Sequence, residues 1–357
     1  MRGFNTLLFV LFALSANAAD GTVGTVSVQK GNNVSVNGEA PLSLTLDGKD
    51  HQSCQCLSKR APDESHEFTW KEVTTTRGGE LAEILGDQLR SVDSLVVKGN
   101  VNDKDFHAMW DASLYGYLSV INLKNAVLEN NAVPDTAFFH ENEQYEGSSH
   151  EIFYYIGLRK IILPEGLEKI GEGAFYQASA LRQVNFPSTL RYIGDFAFNA
   201  TKLEMNQLVI PEGVEEINQY AFAFCRKLKA QVTLPSTIKK IGEWAFYGCP
   251  ITSINLPEGL ESLGSLAFWD CDLREVSIPS SCHEFNEGWQ FGFNRNLEKM
   301  HLPEGMTEIP DHFAVDCFRL REVNFPHTLK HIGEKAFSLC ISLKNVDLPL
   351  GMQSLGE

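Results

Sequence analysis

The chain has 357 residues, with 30 Lys and Arg against 46 Asp and Glu, a net charge of −16 and a hydrophobic share of 43%. Such acidity excludes nucleic acid as a partner, because that affinity rests on neutralising phosphates with Lys and Arg. The hydrophobic share excludes general disorder.

Residues 1–18 carry a charge at Arg2, an apolar run from Leu7 to Leu14 and the small-residue site Ala16, Asn17 and Ala18. This is the pattern of a secretory signal peptide. The run is too short to cross a bilayer, no second run of membrane length follows it, and no cysteine follows it to carry a lipid. An exported chain is expected, extracellular or at the cell surface and without a membrane span; loss of Arg2 takes the charge from −16 to −17.

Residues 19–78 read as a β-rich or partly mobile segment. Val26 to Val28, Val34 to Val36 and Leu42 to Leu46 alternate apolar and polar residues, and Asn37-Gly38 and Asp47-Gly48 are turn signals, so small hairpins are expected. Cys54 and Cys56 form a Cys-x-Cys pair in this region with no third or fourth ligand nearby, a local site for pairing rather than for metal.

Residues 79–157 read as a capping helix followed by two irregular coils. Leu81, Ile84, Leu85 and Leu89 fall at helical spacing, Thr74 to Thr76 can supply the N-terminal cap, and Glu80 and Glu83 sit where the helix dipole favours acids. Such a helix would cover the open end of a stack of coils. The strand-like runs Ser94 to Gly99 and Leu118 to Leu123, the second followed by Ala137-Phe138, place the first coils near residue 92. Between them Asp103 to Trp110 predicts a helical turn with Phe106, Met109 and Trp110 toward the core. Residues 139–151 form an inserted acidic loop, and insertions of this kind project on one face, often the binding face.

From Leu158 to Glu357 one pattern is repeated. Proline recurs at Pro164, Pro187, Pro211, Pro235, Pro257, Pro279, Pro303, Pro326 and Pro349, always 22 to 24 residues apart. Self-similarity at that period predicts a solenoid, in which each repeat buries its apolar edge only by stacking on its neighbours. The residues before each proline, as in Leu158, Ile161 and Leu163, predict a short strand that the proline ends. Gly171, Gly194, Gly242, Gly264 and Gly333, seven after the proline, are expected to permit a backbone angle that a side chain would strain. An Ala-Phe pair follows, and Phe175, Phe198, Phe222, Phe246, Phe268 and Phe337 are expected to stack as an internal ladder. The pattern loosens after Pro279, to Cys282, Phe285, Trp289, Gln290 and Phe291, and after Pro303, to Phe313-Ala314; either departure can bend the stack. The last coil stops at Glu357, where its Ala-Phe pair is due, and reads as incomplete.

These residues resemble the BspA-like class of leucine-rich repeats, with a consensus of roughly 23 residues, Leu-x-x-Ile-x-Leu-Pro-x-x-Leu-x-x-Ile-Gly-x-x-Ala-Phe-x-x-Cys. The match is close over residues 158–357 and loose over 92–157. The resemblance implies an α/β repeat solenoid with an N-terminal capping module. It also implies an exported protein of the kind found in host-associated bacteria and some parasitic protists, several of which are adhesins for matrix or partner-cell proteins. The consensus is a set of core residues and carries no ligand chemistry of its own.

Cys225, Cys249, Cys271, Cys317 and Cys340 fall fourteen residues after a repeat proline, a place that Ala178 and Phe293 take in other coils. They read as a buried stack of thiols behaving as small hydrophobes. Coil spacing of about 4.8 Å leaves a bridge such as Cys225 to Cys249 open. No cofactor, metal site or catalytic motif is evident: the ten histidines are scattered, and His140 and His150 with Glu141, Glu143, Glu146 and Glu151 read as a solvated acidic loop. Asn33 and Asn199 begin glycosylation sequons, relevant only in a eukaryotic secretory pathway.

The candidate binding residues are aromatic. Phe196, Tyr220 and Trp244 stand nine after successive prolines, and Tyr176, Tyr247 and Trp269 stand twelve after. The first position also holds Gly173, His312 and Lys335, so it is at least partly exposed, and surface aromatic stripes suit protein interfaces and sugar stacking. Sealing of gaps between coils is the competing explanation. A second candidate surface is the outward strand face two before each proline, Ile162, Asn185, Val209, Thr233, Asn255, Ser277, His301, Asn324 and Asp347, flanked by Arg159, Arg182, Arg274 and Arg321. The sequence thus predicts a non-enzymatic recognition or adhesion module for a host matrix or cell-surface protein. The alternatives are a carbohydrate-binding surface component and a hydrolase with its site in the N-terminal region.

Overall fold

The computed structural model describes residues 24–29, 33–38, 67–139 and 156–356. The chain divides into two units, residues 1–56 and 57–357. In the first, Gly24–Gln29 pairs antiparallel with Asn33–Gly38, in agreement with two of the three alternating runs. The signal segment, Leu42 to Leu46, Cys54, Cys56, His140, His150 and nearly all of the inserted acidic loop lie outside the described residues.

The second unit is a parallel-strand solenoid of about eleven turns with little helix. Each coil has three sides, along which backbone bonds run from coil to coil. The first side carries the strands before the prolines, from Trp70–Thr75, Ser94–Val101 and Val120–Leu128 to Glu322–Asn324. It begins one turn earlier than the expected start near residue 92. Inward residues such as Ile161, Leu208, Val232 and Met300 are buried while their strand neighbours face out, the period-two pattern of a half-buried strand. The second side is a ladder of two-residue strands running in register from Ala132–Val133 through Lys169–Ile170 to Glu284–Phe285. It breaks before Glu308–Ile309, in the coil where the sequence loosens after Pro279.

The third side is the tight turn carrying Ala-Phe. Alternate N–H groups there bond within the turn and to the next coil: Ala178 N donates to Phe175 O at 3.0 Å, and Phe175 N donates to Ala197 O at 2.8 Å. The same inter-coil bond recurs from Phe198 to Ala221 and from Phe222 to Ala245. The buried backbone of a turn is thereby satisfied without a helix.

Inside, Phe138, Phe175, Phe198, Phe222, Phe246, Phe268 and Phe291 stack with centroids 5.2–5.6 Å apart, and Phe313 ends the row edge-on to Phe291. Phe337, expected as a rung, is only half-buried and meets Phe325 edge-on instead. The loosened coils keep the ladder because Phe291 and Phe313 occupy the rung by different local routes.

The glycines seven after the prolines act differently from the expectation. None of the five has a left-handed φ. A Cβ on Gly264 would lie 2.4 Å from Glu243 N, and one on Gly194 2.6 Å from Glu172 N, so the backbone of the preceding coil fills the space a side chain would need. Left-handed glycines fall two after the proline instead, at Gly166, Gly213, Gly259 and Gly305, with φ between 95° and 109°.

Those four glycines expose a repeat of two coils. Pro-Glu-Gly alternates with Pro-Ser-Thr, Pro-Ser-Ser or Pro-His-Thr along the chain. The Glu212 carboxylate accepts from Ser236 N at 3.1 Å and Oγ at 3.0 Å, and Gly213 N donates to Thr237 Oγ1 at 2.9 Å. Glu165 with Ser188 and Glu258 with Ser280 repeat the first contact; Gly166 with Thr189 and Gly305 with Thr328 repeat the second.

At the N-terminal end the expected helix is short. Leu81–Leu85 (α1) has five residues and continues as a 3₁₀ turn over Gly86–Ser91; Leu81, Leu85 and Leu89 are buried but Ile84 is exposed. Thr74 and Thr75 belong to the first strand and do not cap α1. Its N-terminus is held instead by the buried Asp105, whose carboxylate accepts from Gly79 N at 2.6 Å and Leu81 N at 2.9 Å. Asp105 lies in Asp103–Tyr115 (α2), three and a half turns rather than the single turn expected, with a capping box on Asn102 and with Phe106 and Met109 buried.

Cys225, Cys249, Cys271, Cys317 and Cys340 are buried free thiols, with Cys282 a sixth. Each thiol of the row points at a carbonyl of the coil before it: Cys225 Sγ donates to Phe198 O at 3.1 Å, Cys249 to Phe222 O at 2.9 Å and Cys317 to Phe291 O at 3.3 Å. The position is therefore a weak hydrogen-bond donor and not merely apolar. Its occupant in the coil after Pro279 is Asn294, with Nδ2 donating to Phe268 O at 2.7 Å, and not Phe293. One extra residue in that coil shifts the register.

Two outcomes follow from this packing. Gly264→Ala should cost about 3 kcal/mol or more, because backbone must move, whereas Gly166→Ala meets nothing within 4 Å and costs only the left-handed angle, about 1–2 kcal/mol; urea denaturation compares the two. Burial pushes the Cys249 and Cys271 thiols well above the ordinary value of 9.0 and Cys282 up to about 12. A raised folded pKa leaves stability full below the unfolded value and removes it as pH climbs toward the folded one. Urea midpoints should hold to about pH 8.5 and fall between about 9 and 12; Cys282→Ala should fall less steeply, and an equal slope would contradict this account of Cys282.

Candidate binding surface

The turn side presents the aromatic residues. The residue nine after each proline sits in a left-handed backbone whatever its side chain, with φ of 55° at Phe196, 55° at Tyr220 and 57° at Trp244, where the turn reverses between two inter-coil bonds. A left-handed angle costs an L-residue about 1–2 kcal/mol, and glycine would avoid it. Only Gly173 does so at this place among the regular coils, so the rings return something that glycine cannot.

Part of that return is packing. Phe196 stacks on Tyr220 at 4.6 Å and Tyr220 on Trp244 at 5.4 Å, a second aromatic row parallel to the internal Phe ladder. Tyr176 meets Phe196 edge-on at 6.0 Å and Phe139 at 4.8 Å; Tyr247 lies 4.4 Å from Trp244 and 5.0 Å from Phe224. Trp269 extends the band to Trp289 at 5.3 Å and Phe293 at 4.5 Å, and Trp289 stacks on His312 at 3.8 Å. All six sequence candidates, Phe196, Tyr220, Trp244, Tyr176, Tyr247 and Trp269, are half-buried members of this one band. Burial, and secondarily the Glu243 carboxylate, pushes the Tyr220 phenol up to about 12, and burial raises Tyr247.

Phe139, Phe224, Trp289 and Phe293 complete the band and escape a reading by fixed spacing, while His312, nine after Pro303, joins it at the expected place. Trp289 stands ten after its proline because of the extra residue in its coil, and Phe224 and Phe293 occupy a second left-handed place in the turn.

The strand face offers less. Asn185 and Asn324 are fold devices: Asn185 Oδ1 accepts from Leu163 N at 2.7 Å and Nδ2 donates to Leu163 O at 3.0 Å, and Asn324 does the same at Leu302. Arg182 and Arg321 are tied to Glu204 and Glu298 in exposed ion pairs, and Lys299 to Glu322. Trp70, Val127 and Val209 are large apolar side chains open on strands of this side, at 65%, 61% and 53% exposure. Asn199 is fully buried with neither amide atom partnered, which closes that sequon to glycosylation. No group of three or more His, Cys, Asp or Glu suited to a metal occurs among the described residues, and none of their helices is long and apolar enough to cross a membrane.

Solved structures share this architecture. A leucine-rich repeat protein from Bacteroides ovatus is similar with a TM-score of 0.51 at 20% identity, over 92% of this chain and 81% of that one, a likeness of fold alone. A leucine rich cell surface protein from Faecalibacterium prausnitzii overlaps more loosely, with a TM-score of 0.34 at 18% identity over 73% and 72%. So does the pneumococcal vaccine antigen PcpA, with a TM-score of 0.35 at 16% identity over 68% and 74%. No curated protein matches. A family model described as BspA type leucine rich repeat region matches in six copies, over residues 148–232, 229–344 and 307–357. With more than half its length so matched, the chain belongs to the BspA-type leucine-rich repeat family.

Proposed function

We propose that this protein is an exported, non-enzymatic recognition module that binds a host matrix or neighbouring-cell protein through the aromatic band. Family membership supports a protein-binding or adhesion role in general. The observation that carries the specific surface is the run of bulky rings kept at left-handed backbone positions over consecutive coils, at a cost that glycine would remove. Aromatic side chains supply large contact area with little entropy to lose, which suits a protein interface.

The arrangement favours protein over carbohydrate. Sugar stacking uses an open ring face, and here Phe196 and Tyr220 cover each other's faces at an interplanar angle of 7°. A hydrolase site in residues 19–157 finds no support in the described part of that segment, where Asp105, its one buried carboxylate, is engaged in capping.

Tyr220→Ser with Trp244→Ser should lower affinity for the matrix-protein ligand at least tenfold, as loss of central aromatic anchors does. Surface plasmon resonance against a panel of matrix proteins measures it, with circular dichroism to verify the fold. Unchanged affinity in a folded double variant removes the band from the interface, and glycan-array binding that the same variant abolishes would favour the carbohydrate reading.

A further inference from the structure

We infer that the aromatic band docks a protein segment bearing closely spaced Arg or Lys side chains, their heads on a row of carboxylates and their apolar stems against the ring edges. This rests on the reading of the band as the docking surface. The row stands eight after the prolines, directly beside the ring position: Glu172, Asp195, Glu243, Asp311 and Glu334, interrupted by Gln219 and Ser265 and by the extra residue that sets Glu287 two before Trp289. The turns stack in register, with Tyr220 N donating to Glu243 O at 2.9 Å and His312 N to Glu334 O at 2.8 Å, so the acids run along the flank of the band.

Charge placement elsewhere shows what the fold does when it is free to choose. Four residues after the prolines, opposite signs alternate on successive coils: Glu168, Arg191, Glu215, Lys239, Glu261. Like charges on adjacent coils repel, and alternation avoids it. The row beside the rings does the reverse, placing Glu172 next to Asp195 and Asp311 next to Glu334 on consecutive coils, although Asp195 and Asp311 also accept from the next coil, from Gln219 N at 3.0 Å and from Glu334 N at 2.6 Å. No Lys or Arg forms an ion pair with Glu172, Asp195, Glu243, Glu287 or Asp311 among the described residues; Lys335 pairs with Glu334, and Lys240, near Asp195, is engaged by Glu216 at 2.8 Å. Burial raises the Asp195 carboxyl, outweighing the bond it accepts from Gln219 N and the nearby Lys240 ammonium. A repulsive row beside a hydrophobic stripe fits a cationic partner.

The chain itself demonstrates the mode of holding. At the border of the band the Arg226 guanidinium lies 5.5 Å from the centre of the Phe224 ring and 3.2 Å from Asp270 Oδ2. On the neighbouring side the Lys169 ammonium lies 5.6 Å from the Tyr192 ring and 3.2 Å from Asp135 Oδ1. In both places a long cationic side chain is shared between a ring and a carboxylate, the pairing the row and band offer to a partner.

The test uses the full chain and a synthetic peptide of six Arg-Ser repeats, with its Glu-Ser counterpart as control, titrated by calorimetry at physiological salt. The triple variant Glu172→Gln, Glu243→Gln and Glu334→Gln should weaken Arg-Ser binding about tenfold, while Glu165→Gln, Glu212→Gln and Glu258→Gln, the same charge change on the proline edge, should weaken it less than about twofold. Equal losses in the two variants mean diffuse attraction to an acidic protein and overturn the inference. Matrix-protein affinity separates this from the reading beneath it. If Tyr220→Ser with Trp244→Ser lowers that affinity and the first triple variant does not, the band docks its partner without cations and the inference falls alone; if neither lowers it, both fall.

Discussion

Register between coils governs this molecule. A solenoid coil has no partner for its backbone N–H and C=O groups except the coil on either side, and all three sides must meet their counterparts at about 4.8 Å together. Gly194 and Gly264 exist to let that approach happen, since a single Cβ would strike the neighbour's backbone. The Phe ladder follows from the same spacing, because rings offset along one axis at 5.2–5.6 Å stack without rearrangement. Asn294 and the cysteines show how chemistry yields to position: thiol and amide serve alike because each reaches the carbonyl of the coil before it.

Fixed spacing also explains the alternation of Pro-Glu-Gly with Pro-Ser-Thr. A side chain that needs a partner on the next coil cannot meet a copy of itself there, for two carboxylates or two left-handed glycines would face each other with nothing to exchange. Alternating donors and acceptors solves this, and Glu212 with Ser236 and Gly213 with Thr237 are one full unit. The coil is the period of the core, and the pair of coils is the period of the edge.

The core was legible in the sequence because apolar stacking demands near-identical residues at each step, and identity at a fixed interval is what a reader of sequence detects. The proline positions, the strands and most of the Phe rungs emerge from it directly. Legibility fails where the interval changes or where the reason for a residue is a neighbour 22–24 positions away. Phe293 falls in the cysteine row by spacing because one extra residue hides Asn294. The glycines seven after the prolines look like turn residues until the preceding coil's backbone is seen beside them. Thr74 and Thr75 look like a cap for α1, but the strand claims them, and the buried Asp105 does the capping from a distance no local rule covers.

The surface obeys a looser logic, and for that reason it carries the functional information. Within the core any departure from the repeat is penalised, so a residue there reports on packing. On the turn side the backbone tolerates Gly173, Trp244, His312 and Lys335 at one position, and the fold therefore does not choose among them. Where the fold is indifferent, a coherent trend along several coils needs another cause. Rings on consecutive left-handed positions and acids beside them are two such trends, on the same flank of the same coils. A solenoid that alternates its charges from Glu168 to Glu261 and declines to do so beside its aromatic band fits the docking role proposed for that flank.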